Sequence, residues 1–272
     1  MSWLHDMFGT ERPIIGLLHL RPLPGDPFFG PGDTIQTVID AARADLLALQ
    51  EGGVDGILIT NEFSLPYEKK VGAVTTASMA MVIGALSHLF TVPFGAEAIY
   101  DGDATIELCA ATGARFTRCL FTGAWAGDLG LIDRDVAHTL RLKRSLGLDG
   151  LKLFYFVTSE GEVFLNDRPT VEIAKTLLFN CRPDCLVVGG SAPGHAPGPE
   201  LIRTVKQAVG EVPVVCGTGC RLENAAEILA AGNGAFVGTT FKREGRFEAP
   251  VDAARVKRFM DHVREVRKDR KS

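Results

Sequence analysis

The chain has 272 residues, of which 46% are hydrophobic and 23% are charged, and its formal net charge is −4. These proportions are typical of a soluble globular protein, and they argue against a disordered chain and against a broad basic surface for nucleic acid. No apolar run reaches the roughly 18 to 20 residues of a membrane-spanning helix, and the first residues lack the basic and apolar regions of a secretory signal. We therefore expect a cytoplasmic protein with neither a transmembrane segment nor a nucleic-acid partner.

Short apolar runs alternate along the chain with longer segments of helical periodicity. Eight runs have the composition of strands: IIGLLHL (14–20), VDGILIT (54–60), VPFGAEA (92–98), RFTRCLF (115–121), LKLFYF (151–156), CLVVGG (185–190), VPVVCG (212–217) and AFVGTT (235–240). The segments between them repeat apolar residues at i, i+3 and i+4, and a last such segment, VDAARVKRFMDHVREVRK, follows the eighth run. The pattern predicts eight strand–helix units in series.

The predicted strands are apolar along their whole length, which is typical of a parallel sheet covered by helices. Eight strand–helix units favour an α/β fold with a closed (β/α)8 barrel of the TIM type, formed by residues 1–272 as one domain. A doubly wound open sheet is the structural alternative. It would usually place a glycine fingerprint after the first strand, whereas the segment found there, HLRPLPGDPFFGPGD, lacks GxGxxG.

Glycines and threonines concentrate at the ends of the last three predicted strands. Gly217 and Gly219 follow the seventh strand, Gly238 and Thr239 follow the eighth, and Gly190 ends the sixth. In TIM barrels the active site lies at the carboxyl ends of the strands, and the loops after strands seven and eight often bind phosphate. Backbone N–H groups without bulky side chains around them can approach such an anion closely. We therefore predict a phosphorylated small-molecule ligand; the alternative is that each glycine only closes a tight turn.

Polar and titratable side chains occur at the ends of the first three strands. His19 ends the first strand, and Asn61 and Glu62 follow the second. This position at a barrel mouth favours a functional role for His19, the alternative being a packed or loop-bonded histidine. Glu97 lies within the otherwise apolar third strand, where an unpaired carboxylate would be costly to bury. We expect Glu97 to have a partner.

Three further candidates each leave more than one interpretation open. Arg118 in the fourth strand faces either the helix layer or the barrel interior, where it could pair with Glu97 in a structural or a catalytic role. Asp128 lies in a glycine-rich loop and is either an acid/base group or a turn residue. Lys152 in the fifth strand suits a Schiff-base nucleophile, but it also suits an ion pair with Glu97 or a place near the barrel bottom.

These side chains have the composition of an acid/base site. A general base can remove a proton alpha to a carbonyl while a cation stabilises the oxyanion, and the candidates for this chemistry are His19, Glu97, Asp128, Glu62 and Lys152. Asn61 and Arg118 are candidates for substrate binding. Carboxylate oxygens also suit a divalent cation such as Mg²⁺.

Several segments resemble the BtpA/SgcQ family over nearly the whole chain. They are IIGLLHLRPLPGDP, GVDGILITNEFSLPY, GDLGLID, VPVVCGTGCRLENAAEIL and GAFVGTTFKREGRFEAPVDAARVKRFM. The resemblance implies a TIM barrel of the phosphate-binding type, akin to phosphoribosylanthranilate isomerase and related sugar-phosphate enzymes. Family motifs coincide with His19, Pro22, Pro24, Gly25, Asn61, Asp128, Gly130, Gly217, Gly219, Glu223, Asn224, Gly238, Thr239, Lys242 and Gly245.

The chain departs from the family pattern at two places. After strand three it has AEAIYDGD, where an Asn- and Arg-containing segment is usual, and around strand five it has LKLFYFVTSEG, where a Lys-His pair is typical. Phosphoribosylanthranilate isomerase activity itself is disfavoured, because that chemistry needs a Cys base at the end of strand one and the segment from Ile14 to Gly25 has none. The identity of the substrate is therefore open.

The residues and the resemblance together favour an enzyme that isomerises a sugar phosphate or cleaves it as a lyase in an aldol-type reaction. The alternative on the same scaffold is a non-catalytic ligand-binding protein or a membrane-peripheral assembly factor, since one family member is linked to photosystem I accumulation. The sequence is compatible with a homo-oligomer and does not determine the number of subunits. The basic run from Arg255 to Ser272 is interpreted as a solvated helix face with an unstructured end.

Overall fold

Eight parallel strands form a closed barrel in the computed structural model, which describes residues 2–192 and 194–268. The strands in chain order are β1 (Ile14–His19), β2 (Gly56–Thr60), β3 (Phe94–Glu97), β4 (Phe116–Cys119), β5 (Gly123–Gly127), β6 (Gly130–Arg134), β7 (Lys152–Thr158), β8 (Glu162–Phe164), β9 (Cys185–Val188), β10 (Val214–Cys216) and β11 (Ala235–Val237). Around the barrel the order is β1, β2, β3, β4, β7, β9, β10 and β11, with β11 paired back to β1. The predicted α/β fold of the TIM type is confirmed.

Helices follow the barrel strands and surround them. They are α1 (Trp3–Phe8), α2 (Ile35–Gly52), α3 (Ala73–Leu86), α4 (Gly102–Thr112), α5 (Val136–Ser145), α6 (Thr170–Cys181), α7 (Pro199–Val209), α8 (Ala225–Ala231) and α9 (Ala253–Lys268). One-turn 3₁₀ helices span residues 87–89, 239–241 and 243–245. In the ranges that the structure describes, no helix combines the length and the apolar character needed to cross a membrane.

Alternate residues of each barrel strand enter two separate apolar layers. One layer lies inside the barrel and includes Ile15, Leu17 and Phe116, whereas Ile14 and Leu18 pack outward under the helices. Both faces of the strands are therefore buried, which explains why the strand sequences are continuously apolar.

Helix α1, which the periodicity of the sequence did not reveal, closes the amino-terminal end of the barrel. Its Leu4 is fully buried, and the ring of Phe8 packs edge-on against Phe116 with centroids 5.3 Å apart. The ring of Trp3 packs edge-on against Phe154 in the same way, at 5.6 Å. Because this end is filled by side chains, only the carboxyl end of the barrel is open for a site.

A small antiparallel sheet of β5, β6 and β8 lies outside the barrel order. The segment TGAWAGDLGLID around Asp128 was expected to be a glycine-rich loop. That expectation is wrong, since the segment forms the β5–β6 hairpin. In this hairpin Trp125 is aligned with Ile132, both 1% exposed, and β8 pairs on the other side of β5. Burial of one face of the hairpin stabilises strands in a segment whose glycines suggested a loop.

The small sheet is tied to the loop after β3. The hydroxyl of Tyr100 donates a hydrogen bond to the carboxylate of Glu162, and the guanidinium of Arg134 donates to the backbone carbonyl of Tyr100. The sheet is thereby fixed beside the carboxyl end of the barrel.

Candidate active site

A cavity of about 650 Å³ opens at the carboxyl ends of the barrel strands. Its barrel side is formed by His19, Glu62, Arg118 and Glu160. Its loop side is formed by the loops after β10 and β11 and by two arginines of α9; the lining residues there are Gly217, Thr218, Gly219, Cys220, Arg221, Leu222, Glu223, Gly238, Thr239, Thr240, Arg255 and Arg258. The cavity thus combines titratable side chains with the glycine-rich loops.

The strand register brings the ends of β1, β2 and β3 to one level. His19 is aligned with Thr60, and Thr60 is aligned with Glu97. Arg118 lies on the next strand, β4, beside Glu97. Because parallel strands of a barrel end at the same face, residues that are distant in sequence meet at this mouth.

Glu97 and Arg118 form a buried ion pair. Arg118 Nε donates to Glu97 Oε2 over 2.9 Å, and Nη1 donates to the backbone carbonyl of Gly217 over 3.0 Å. The guanidinium also lies over the rings of Phe236 and Phe156, with Cζ 4.7 and 5.5 Å from their centroids. Burial raises the pKa of Glu97 to about 7, although the charge of Arg118 opposes this rise. The prediction that Glu97 has a partner is confirmed, and Arg118 faces the barrel interior.

His19 is a buried imidazole at the carboxyl end of β1. It is 6% exposed, and neither Nδ1 nor Nε2 has a partner in the part of the chain that the structure describes. Burial lowers the pKa of His19 well below its usual value, and the charges of Lys242 and Arg118 lower it further. Nε2 lies 3.8 Å from Glu62 Oε2. Since a neutral imidazole carries one donor and one acceptor, this residue of the cavity wall keeps hydrogen-bonding capacity that the described residues do not use.

Two glycines of the predicted phosphate loops are required by close packing. A Cβ at Gly238 would lie 2.8 Å from both Cε1 and Nε2 of His19, and one at Gly217 would lie 2.7 Å from Cγ1 of Val187. Real Cβ contacts are longer than this, so a larger residue at Gly238 would displace the imidazole. The backbone at Gly238 and the side chain of His19 therefore form one packed unit.

Two further carboxylates complete the barrel side. Glu62 Oε2 accepts a hydrogen bond from Thr60 Oγ1 over 3.1 Å. Glu160 Oε2 is buried, and no hydrogen-bond donor among the described residues contacts it. Burial raises the pKa of Glu160, and the charge of Glu62 contributes to that rise, while Thr218 and Arg118 oppose it. Glu160 was not predicted as a site residue, although it follows the carboxyl end of β7 in the way that Glu62 follows β2.

The loop after β10 leaves backbone donors at the cavity wall. Gly219 has a φ of +72°, and a Cβ there would lie 2.1 Å from the backbone nitrogen of Ala196. Within the described ranges, the N–H groups of Thr218 and Gly219 have no hydrogen-bond acceptor. Asn224 fixes the loop, because Nδ2 donates to the carbonyl of Gly219 over 3.1 Å and Oδ1 accepts from the N–H of Arg221 over 2.7 Å.

Three arginines give the loop side an excess of positive charge. Arg221 Nη2 donates to the carbonyl of Gly194 over 2.9 Å, Arg255 Nε donates to the carbonyl of Thr240 over 3.2 Å, and Arg258 is exposed. Guanidinium groups of this kind are well suited to bind a phosphate dianion.

The C-terminal basic run was interpreted as a solvated helix face, and two of its residues, Arg255 and Arg258, also line the cavity. Their spacing of three residues on α9 places them on one face of the helix, and this was the signal available in the sequence. The end of the run, residues 269–272, lies outside the described residues.

The structure does not bring Lys152 or Asp128 to the cavity. Lys152 is the first residue of β7 and therefore lies at the closed end of the barrel, where Nζ donates to Asp184 Oδ1 over 2.9 Å and lies 5.4 Å from the centroid of Trp3. Asp128 is exposed in the turn between β5 and β6. Of the interpretations left open by the sequence, the structure therefore supports the barrel bottom for Lys152 and the turn for Asp128.

Gly190 and Asn61 also lie outside the wall of this cavity. A Cβ at Gly190 would lie 1.6 Å from the carbonyl oxygen of His195, so this glycine permits a close backbone approach in the loop after β9. Asn61 is 2% exposed, and its Oδ1 accepts a hydrogen bond from the N–H of Ile99 over 2.8 Å. Asn61 therefore fixes the loop after β3.

No group of three or more His, Cys, Asp or Glu side chains within residues 2–192 and 194–268 is arranged to hold a metal ion. The Mg²⁺ considered from the sequence thus has no ligand set assigned to it.

Comparison with known proteins identifies the family. The family model described as BtpA family matches residues 10–265. The chain belongs to the BtpA family. It is 43% identical over 268 residues to the sgc region protein SgcQ of Escherichia coli (strain K12), covering 98% of this chain and 100% of that protein. It is 29% identical over 272 residues to the photosystem I biogenesis protein BtpA of Synechocystis, covering 99% and 94%. The resemblance stated from the sequence motifs is confirmed.

Solved structures with low sequence identity share the fold. A native KDPGal structure superposes with a TM-score of 0.59 at 18% identity, covering 98% of this chain and 100% of the other. Phosphoribosyl anthranilate isomerase from Thermus thermophilus gives 0.57 at 11% identity, covering 93% and 99%. Orotidine 5'-phosphate decarboxylase from Pyrococcus horikoshii gives 0.52 at 16% identity, covering 92% and 99%. At these identities the likeness concerns the barrel fold alone.

Proposed function

We propose that this protein is an enzyme that binds a phosphorylated small metabolite, with a sugar phosphate as the expected class, and that it moves a proton on that metabolite. The observation that carries the proposal is His19, a buried imidazole whose two nitrogens lack partners in the described chain and which shares a cavity with the glycine loops after β10 and β11. A buried polar group without a partner is costly in a folded protein unless a ligand or water satisfies it.

The loop side of the cavity would hold the phosphate. The N–H groups of Thr218 and Gly219 are free of acceptors in the described chain, and Arg255 and Arg258 are close enough to line the same space. Oriented backbone donors and guanidinium groups together stabilise an anion better than either alone. The position of these loops also agrees with the phosphate sites of other TIM barrels.

The barrel side would carry the proton transfer. A neutral imidazole can accept a proton from carbon or oxygen and return it, and the low pKa of His19 keeps this base unprotonated near neutral pH. The guanidinium of Arg118, held by Glu97, is a fixed cation beside the place where an oxyanion would develop. Glu62, 3.8 Å from His19, is the second acid/base candidate. This arrangement suits isomerisation through an enediol and also suits aldol-type cleavage.

Relatives and neighbours support the proposal in different degrees. Two neighbours of the same fold are named for phosphorylated compounds, an orotidine 5'-phosphate decarboxylase and a phosphoribosyl anthranilate isomerase. The Synechocystis relative, in contrast, is named for photosystem I biogenesis. A non-catalytic ligand-binding or assembly protein is therefore the second candidate. It is favoured by the outer face of the small sheet, where Leu131 and Val163 are 64% and 72% exposed.

Two measurements test the proposal with the full chain. Thermal melting is followed with inorganic phosphate and with a panel of sugar phosphates, with and without Mg²⁺, because a ligand of the folded state raises the melting temperature. Each compound that stabilises the protein is then incubated with it in D₂O, and loss of the proton alpha to the carbonyl is followed by NMR.

Stabilisation together with exchange that His19→Gln abolishes would support the enzyme. Stabilisation without exchange by any compound would favour the non-catalytic candidate. If no phosphate compound raises the melting temperature, the proposal of a phosphate site is wrong.

A further inference from the structure

The barrel side of the cavity indicates what the rest of the ligand contains. Resting on the proposed function, we propose that the ligand is a phosphate monoester of a polyhydroxylated aldehyde or ketone, whose end distant from the phosphate presents hydroxyl or carbonyl groups and carries no second acid group. The proposal depends on two carboxylates, Glu62 and Glu160, that line the cavity, and on the His19 imidazole between the loops and these groups.

Both carboxylates have acceptor capacity that the protein leaves unused. Glu62 Oε2 accepts a hydrogen bond from Thr60 Oγ1 over 3.1 Å, and the side chain is 20% exposed, so it retains acceptor capacity for a ligand. Glu160 receives hydrogen bonds from Thr218 and from the N–H of Gly194, while its buried Oε2 has no partner in the described residues. An ionised carboxylate only accepts hydrogen bonds, so the complementary groups on a ligand are donors. Sugar hydroxyls are donors of this kind.

The cations of the barrel side are already engaged. Arg118 uses Nε on Glu97 and Nη1 on the carbonyl of Gly217, and the ring of Phe236 lies 4.7 Å from its Cζ. Lys242 lies behind the wall, 1% exposed, and its Nζ donates to the carbonyl of Phe247. Lys242 is therefore turned away from the ligand, and Arg118, whose Nε and Nη1 are held by the protein and whose charge is matched by Glu97, retains Nη2 for a single oxygen of the ligand.

The cavity is therefore polarised. On the barrel side, Arg118 is matched by Glu97, and Glu62 and Glu160 add two further carboxylates against the single buried ammonium of Lys242. The loop side has Arg221, Arg255 and Arg258 against the single carboxylate of Glu223, as the described lining residues show. One anionic group is attracted to the loop side, while a second anionic group would face two carboxylates of the same sign.

His19 provides an observation independent of these charges. Its two nitrogens are buried and unpartnered among the described residues, Nε2 lies 3.8 Å from Glu62 Oε2, and the residue lines the cavity, so one donor and one acceptor remain to be satisfied at this wall. A hydroxyl group can complement either nitrogen, because it both donates and accepts, whereas an ionised carboxylate only accepts. The barrel side is thus matched to hydroxyl groups in hydrogen bonding as well as in charge.

Matched pairs of unreactive analogues, which lack the carbonyl group of the proposed substrate, test this inference. The affinities of D-ribitol 5-phosphate and 5-phospho-D-ribonate are measured by calorimetry with the full chain, and the six-carbon pair D-glucitol 6-phosphate and 6-phospho-D-gluconate is measured in parallel. Each pair differs only in whether the terminal carbon is an alcohol or a carboxylate. We expect the alditol phosphate of at least one pair to bind about tenfold more tightly or better, since like charges in a site of intermediate dielectric repel by more than about 1.4 kcal/mol.

The variants Glu62→Gln and Glu160→Gln identify the source of the preference. Each should reduce the alditol-to-aldonate ratio, because it removes one negative charge while keeping the shape of the side chain. Equal affinity within both pairs, or tighter binding of an aldonate, would overturn the inference while leaving the phosphate site intact. Thermal stabilisation by inorganic phosphate, together with no binding of any of the four esters, would also overturn the inference. Failure of phosphate and of all four esters would instead remove the proposed function on which the inference rests.

Discussion

Arg118 Nε donates a hydrogen bond to Glu97 Oε2 over 2.9 Å, and through Nη1 the same guanidinium holds the carbonyl of Gly217 over 3.0 Å. One side chain therefore connects β3 and β4 to the start of the loop after β10. Because the pair is buried, removal of either partner leaves a charge without compensation.

The variant Arg118→Met should lower the free energy of unfolding by about 3–5 kcal/mol, since it leaves the carboxylate of Glu97 buried and unpaired. Urea denaturation measures this loss. The double variant Arg118→Met/Glu97→Leu should recover part of it, because both charges are then absent. A double variant as unstable as the sum of the two single variants would contradict the prediction.

The pH dependence of stability should report the burial of His19. Since the pKa of His19 is lower in the folded chain than its usual 6.5, the unfolded chain binds this proton first. The stability contributed by the neutral imidazole is therefore fully present above about pH 6.5 and is lost as the pH falls through that value towards the folded pKa, by up to about 1.4 kcal/mol per pH unit.

In His19→Gln the loss of stability between pH 7 and 5 should accordingly be shallower than in the wild type. Chemical denaturation at a series of pH values measures the difference. His88→Gln, which removes an exposed imidazole from residues 87–89, is the matched control for loss of a histidine. An unchanged slope in His19→Gln would show that the imidazole is not held neutral.

Gly238→Ala should displace the imidazole of His19, because the added Cβ would lie 2.8 Å from its Cε1 and Nε2. We expect a loss of stability of about 1–3 kcal/mol, as for other overpacked sites, and loss of most of the proton exchange proposed above. Gly84→Ala in α3 is the control. No atom lies within 4 Å of its Cβ position, so this variant should gain up to about 1 kcal/mol from helix propensity. Wild-type exchange in Gly238→Ala would argue against a role for His19.

Arg258→Gln should lower the affinity for inorganic phosphate about three- to tenfold, because a guanidinium at the cavity wall is replaced by a neutral side chain. Thermal melting against phosphate concentration measures this. Lys257→Gln is the matched control on the same helix, since its Nζ pairs with Asp261 over 2.7 Å and does not line the cavity. Equal weakening in both variants would indicate general charge attraction without a defined site.

Lys152→Met should leave ligand-induced stabilisation unchanged, because Nζ lies at the closed end of the barrel and pairs with Asp184. The pair is partly exposed, with side chains at 29% and 27%, so the variant should cost at most about 1 kcal/mol. Thermal melting with and without the stabilising phosphate compound checks both statements. Loss of stabilisation by the ligand would show that Lys152 affects the site.

The sequence predicted most of the fold because the signals involved are local. Continuous apolar runs and helical periodicity located the eight barrel strands and the helices between them, and strand direction placed His19 and Glu62 at the open end. The β5–β6 hairpin was missed because its glycines predict a loop, and its strands are stabilised by burial of Trp125 against residues from β6 and β8.

What the sequence alone determined, then, is the barrel, its open end, and the glycine loops that meet there. Only the tertiary structure decided that Arg118 points inward to Glu97, that Lys152 lies at the closed end, and that Arg255 and Arg258 reach the cavity. The physical reason is that periodicity and strand direction are properties of neighbouring residues. The direction of a single charged side chain depends on the register and closure of the barrel, which place it beside partners many residues away.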